Sequence, residues 1–161
     1  MKIDINKFWD TNYYNNPTLT DRMIINAEKK LGVKLPETFL SLLKCQNGGY
    51  TKGFAFPMKT KTTWADNHIP VSELFGIVLD EKSDSGHNIM QSSYMTTEWD
   101  LPEKQVLLTG DGHWFITLDY RKSETPTIRW IDCECGEDIF VASSFDEFYE
   151  GLVSEDEFAI D

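Results

Sequence analysis

Apolar positions recur along this chain first with a helical period and later with a strand period. Near the start, Ile5, Phe8 and Trp9 follow Asp4 at i, i+3, i+4 spacing and predict a short helix. The run TLTDRMIINAEKKLGVKLPETFLSLLKCQNGGY predicts two more. Thr20 or Asp21 caps the first, Met23, Ile24, Ala27 and Leu31 line one face, and Gly32 is the stop. The second begins near Pro36, a residue tolerated in a first turn, where Glu37 also suits the positive end of the helix dipole. Phe39, Leu42 and Leu43 form its apolar stripe, and Asn47-Gly48-Gly49 end it with residues that accept positive φ.

Residues 50 to about 105 are less clearly patterned. GFAFP and SELFGIVL read as short strands, and SGHNIMQSSYMTTEWDLP as a helix of poor period closed by Pro102. From Gln105 the pattern sharpens. Val106–Thr109, His113–Tyr120, Thr127–Cys133 and Ile139–Ala142 are rich in β-branched and aromatic residues with turn chemistry between them, which predicts an antiparallel meander. On the second of these strands Trp114, Ile116 and Leu118 share one face, and His113, Phe115, Thr117 and Asp119 the other. Ser144 and Glu147 then form a capping box before a stripe of Phe145, Phe148, Tyr149 and Leu152. The expected fold is α+β: a central, mostly antiparallel sheet flanked by N-terminal and C-terminal helices, in a single domain over residues 1–161.

Three of these stretches, in this order, resemble the SMI/KNR-type family of the SUKH superfamily. AEKKLGVKLPETFLSLLKCQNGG is similar to the family's opening helix pair, with a Glu before Leu-Gly, then Leu-Pro, then a closing Asn-Gly-Gly. GDGHWFITLDYR resembles its glycine-led hairpin and following strand, so Gly110, Asp111, Gly112 and Asp119 are read as structural motif positions. TPTIRWIDCECGEDIFVASSFDEFYEGL is similar to the final strand pair and helix. The best-matching part is residues 20–153. One departure is Glu124-Thr125-Pro126-Thr127, where many members place Glu-Pro directly before the strand. The resemblance implies a SUKH-like sheet with flanking helices. It also implies a bacterial immunity protein that neutralises a cognate toxin, often a nuclease, by binding it. Fungal members imply an alternative, a regulatory or scaffold module of cell-wall assembly with no toxin partner.

Charge adds a location to that expectation. The net charge is −12 over 161 residues, but residues 1–129 carry 16 acids and 15 bases, whereas residues 130–161 carry 11 acids and no base. Nucleic acid is a poor partner for such a surface, and a basic protein is a good one. A solvated acidic tail that only aids solubility fits the composition equally. On the binding reading, Glu134, Glu137, Asp138, Glu150, Glu155, Asp156 and Glu157 face the toxin, and Trp64, between turn-like residues, is the expected exposed aromatic anchor. The residues after Val153 extend the last helix or hang free. MKIDINKFWD has no apolar core of a signal peptide, and no apolar run approaches the ~20 residues that span a bilayer, so a cytoplasmic location without membrane partners is expected.

Other chemistry weighs less. Three cysteines, Cys45, Cys133 and Cys135, suit a reducing compartment. Cys133 and Cys135 among Asp132, Glu134, Glu137 and Asp138 lack a second Cys/His pair at zinc spacing, so no metal or cofactor is expected, and the thiols read as small and buried, as does Cys45. His68 and His87 read as surface loop residues. Asp111 and Asp119, eight residues apart on a hairpin arm, lie ~20 Å or more apart and cannot share a small site. Asp111-Gly112 reads as a two-residue hairpin turn; a weaker reading has Asp111, His113 and Asp119 making separate polar contacts along an exposed strand edge. No nucleotide-loop, metalloprotease or nucleophile-elbow motif is present. An enzyme would require the fold to bring a Cys or His against a carboxylate in a closed pocket.

Overall fold

Thr20 starts the first helix by accepting a hydrogen bond from the Met23 N–H at 3.2 Å, and Gly32 stops it in the left-handed conformation at φ 74°. In the computed structural model, which describes residues 3–79 and 87–159, this helix is α1, Asp21–Leu31, with Ile24 and Ala27 buried. α2, Glu37–Cys45, follows Pro36 and buries Phe39, Leu42 and Leu43 completely. Cys45 lies beyond that stripe and is exposed, which corrects its expected burial. The helix expected near Ile5 is only a single 3-10 turn, Ile5–Lys7, capped by Asp4. Phe8 leaves it for the core, and Trp9 pairs with Thr51 while its indole N–H donates to Leu42 O at 2.8 Å. The apolar spacing there records burial of an extended segment.

Among the described residues, seven strands form two antiparallel sheets. β1 (Gly49–Pro57) lies between β2 (His68–Leu74) and β7 (Val153–Ser154). β3 (Gln105–Gly110), β4 (Trp114–Asp119), β5 (Thr127–Asp132) and β6 (Glu137–Ala142) follow one another as the expected meander. The sheets meet where Phe75 N–H donates to Leu108 O at 2.7 Å. Asn47 fastens the neighbouring segments before α1 and after β2: its buried side chain donates to Pro17 O and Ile77 O and accepts from Ile77 N–H, each at 2.8 Å. Gly48 and Gly76 pass so closely there that a Cβ on Gly48 would lie 2.4 Å from Gly76 N.

Ser85 and Gly86, the expected start of the third helix, lie outside the described residues. The described part is a 3-10 turn, Ile89–Gln91, leading into α3, Ser92–Glu98, which ends before Pro102. That change of winding explains the poor period. Ser92 Oγ accepts from Leu107 N–H at 2.9 Å and ties α3 to β3.

All six residues of β4 are buried, so both its faces are covered, and its place inside the meander leaves it no exposed edge. The exposed-edge reading for Asp119 is thereby corrected. The β3–β4 turn also pivots one residue later than expected. Asp111 N–H pairs with Trp114 O at 3.2 Å, and Gly112 alone adopts positive φ, 113°, with His113 as its turn partner. α4, Phe145–Glu150, is capped by Ser144 and buries Phe145, Phe148 and Tyr149, with Leu152 behind them. Glu147 reaches back to Ser143 N–H at 3.0 Å, one residue beyond the expected capping-box partner. After β7 the chain closes in a 3-10 turn, Glu155–Phe158. No described helix is long and apolar enough to cross a membrane.

Candidate functional site

Trp64 is the exposed aromatic with the most rigid support. The residue is 49% exposed, and its ring rests on Trp114 at 5.7 Å between centroids; Trp114 in turn stacks on the fully buried Trp130 at 4.8 Å and 13°. Strand alternation puts Trp114 and Trp130 on one sheet face, side by side on β4 and β5. The loop carrying Trp64 is tightened by Thr62, whose hydroxyl accepts from Trp64 N–H at 3.1 Å. Carboxylates then clamp it to the β5–β6 hairpin. Thr63 Oγ1 donates to Asp132 Oδ2 at 2.6 Å, and Thr63 N–H donates to Glu137 Oε1 at 2.8 Å. The same Glu137 oxygen accepts from Trp130 Nε1 at 3.1 Å.

Asp132 also shapes the adjoining turn by accepting from the N–H groups of Glu134 and Cys135, both at 3.0 Å. Burial opposes its ionisation, but Thr63 and these two N–H donors outweigh that and hold its carboxyl below the usual range. Glu134 projects from the turn, exposed and without a carboxylate partner among the described residues.

The acidic residues do not form one patch. Glu137 lies at the base of the Trp64 loop and Glu134 in the adjoining β5–β6 turn. Asp138, next along β6, points to the opposite face, where Arg129 Nε donates to it at 2.6 Å and Arg121 at 2.9 Å. Arg121 also binds the buried Asp119 at 2.9 Å, and Asp119 accepts from Gln105 Nε2 at 2.8 Å. Burial opposes ionisation of Asp119, and the Arg121 and Gln105 donors overcome it, so its pKa is lowered. Glu150, Glu155, Asp156 and Glu157 form a separate exposed group at the end of α4 and in the final turn. That turn is ordered against the first sheet, with Glu155 over Gly53 and Phe158 stacked on His68 at 4.2 Å. The segment thus neither extends α4 nor hangs free up to Ala159. The loop between β1 and β2 and the strand that follows it link the two acidic groups, the loop touching the hairpin through Thr63 and the start of β2 touching the final turn through His68.

Gly110, Asp111 and Gly112 form the neighbouring hairpin end, where Asp111 lies 3.4 Å from His113 Nδ1. The turn docks on the β5–β6 end through Cys133, whose N–H and Sγ both contact His113 O, at 2.9 and 3.0 Å. Cys133 is half-buried and Cys135 exposed, which corrects their expected burial. Burial, then the nearby carboxylates, pushes the Cys133 thiol up; local desolvation and Asp132, Glu137 and Glu134 do the same for Cys135. Both therefore stay protonated and weakly nucleophilic at neutral pH. Among the described residues, no three His, Cys, Asp or Glu side chains are grouped to hold a metal ion.

A polar cluster that the sequence pattern did not reveal joins Tyr14, Glu73 and His87. Tyr14 OH donates to Glu73 Oε2 at 2.7 Å, and His87 Nδ1 lies 3.1 Å from Glu73 Oε1. Burial, then Tyr50 and Glu73, raises the Tyr14 phenol well above its usual value, so it remains a donor. Its role is to fasten the segment before Asn16 onto β1 and β2. Thr63 gave no sequence signal for its anchoring role; the Arg129–Asp138 pair follows from the hairpin register, in which Arg129 faces Phe140 beside Asp138.

The comparison with curated proteins gave no match. A family model described as SMI1-KNR4 cell-wall, of the SUKH group, matches residues 21–149, from the first residue of α1 into α4. With most of its length matched by that model, the chain belongs to the SMI1-KNR4 family of the SUKH superfamily.

Proposed function

We propose that this protein is an immunity protein that binds a cognate bacterial toxin in the cytoplasm and covers its active site. The observation that supports this most is Trp64, an exposed indole braced on two stacked tryptophans and bordered by the carboxylate-rich hairpin end. A rigid aromatic with a charged rim is the usual anatomy of a binding hot spot. Glu134, Glu150, Glu155, Asp156 and Glu157 have no hydrogen bond or ion pair through their carboxylates among the described residues, so their charge faces outward. They complement a basic protein surface, and neither nucleic acid nor an anionic membrane. Asp138 has a smaller part in this proposal, because Arg121 and Arg129 already neutralise it.

Co-expression with the product of an adjacent toxin gene tests the proposal. Rescue of growth is expected, with loss of rescue for Trp64→Ala combined with Glu134→Lys. Wild-type growth rescue by that folded double variant would refute this surface. The second reading, a regulatory module of cell-wall assembly without a toxin, draws on the family model's description. It predicts no rescue from any neighbouring gene product.

A further inference from the structure

Two continuous grooves lie away from Trp64. The first, about 1160 Å³, runs between the second half of α1, the approach to β3 and the segment after β4. The second, about 630 Å³, continues it past the start of α2 to the start of α4. Glu28, Lys34 and Glu124 line both, and Glu28 and Lys34 pair at 3.7 Å at this junction.

Charge is sorted along this path. Residues lining only the first groove include Lys29, Lys104, Arg121 and Lys122 against a single acid, Glu103. Those lining only the second include Glu37 and Asp146 and no cation. Arg121 is engaged by Asp119 and Asp138, but Lys29, Lys104 and Lys122 are exposed and have no carboxylate partner among the described residues.

Apolar surface accompanies the charge. Ile25, 64% exposed, lines the first groove together with Leu31 and Val33, and Leu40 and Pro126 line the second. Thr96 Oγ1, in the first groove's wall, is buried without a hydrogen-bond partner among the described residues. Asp100 and Lys104, in the loop at its edge, hold positive φ of 53° and 58°, and such strain in residues other than glycine concentrates at binding sites. The first groove alone exceeds the upper end of the about 300–1,000 Å³ usual for small-molecule pockets.

We propose that this polarised groove binds an extended segment of a partner protein, acidic where it meets Lys29, Lys104 and Lys122, basic where it meets Glu37 and Asp146, and with apolar side chains between its charged ends that pack on Leu31, Val33 and Leu40. The opposed charges at the two ends set the segment's direction.

Fluorescence anisotropy with labelled synthetic peptides tests this directly. Two block-charged peptides, acidic–leucine–basic and its reverse, are compared with a peptide of the same composition whose charges alternate. One block peptide is expected to bind about tenfold or more tightly than both others. Lys29→Glu with Lys122→Glu, and separately Glu37→Lys, are expected to remove that advantage, while Trp64→Ala leaves it intact. These are surface positions, and an unchanged thermal melt certifies the fold. Equal binding of all three peptides, or a block-peptide affinity unaffected by the double variant, would overturn the proposal.

Discussion

Trp130 has no exposed surface and supports the indole stack that ends at Trp64. Replacing it with alanine removes a large buried ring and leaves a cavity, which is expected to lower unfolding free energy by about 3–5 kcal/mol in urea titration. Asp119 and Asp132 have a different signature. Both are held below the unfolded carboxylate value of about 3.9, so below about pH 4 the unfolded chain binds more protons than the folded one. The stability these carboxylates supply is therefore full above that value and disappears as pH falls through their lowered folded-state pKa values. Asp119→Asn is expected to weaken the protein by about 1–3 kcal/mol near neutrality and to flatten the acid limb of a stability–pH profile. An unaltered acid limb would show that Asp119 does not titrate as described.

At the scale of elements, caps and clamps explain boundaries that the apolar pattern only approximates. Ser144→Ala removes the hydrogen bond from Glu147 N–H that starts α4 and should cost about 1 kcal/mol in thermal or urea unfolding. Asn47→Ala should cost more, about 2–4 kcal/mol, because Ile77 N–H and two carbonyls would lose their buried partners together. The sequence marks Asn47-Gly48-Gly49 as a helix stop, and Gly48 and Gly49 do take positive φ. It does not show that Asn47 ties the start of β1 to the segments before α1 and after β2, because its partners are thirty residues away in either direction. Similarly, the meander's strands were legible from β-branched alternation, whereas the β3–β4 turn shifted by a residue because the strand register and the Asp111–Trp114 pair decide where it pivots.

For the whole molecule, electrostatics is separated by place. Outward-facing carboxylates lie in the β5–β6 turn at Glu134 and in the final turn, and lysines without a carboxylate partner among the described residues border the groove after α1. If the acidic surface carries toxin binding, affinity should fall steeply between low and physiological salt, and Glu134→Lys should weaken it and reduce that salt dependence. Isothermal titration across a salt series measures both, and salt-independent affinity would contradict the acidic-surface model. Asp138→Lys is a different experiment, since it breaks the Arg121–Asp138–Arg129 cluster and is expected to alter stability as well.

The sequence by itself determined the α1–α2 pair, the order of the meander strands, the last helix and the concentration of acids after Arg129, all set by local periodicity, capping and composition. Tertiary structure alone decided which carboxylates face outward. Glu137 turns inward to a loop and Asp138 to two arginines because strand alternation sends neighbours to opposite faces and distant segments supply their partners. It also decided that Cys45 is exposed, that Asp119 is buried, and that Trp64 has a rigid base. Those outcomes depend on contacts between residues far apart in the chain, which no local pattern encodes.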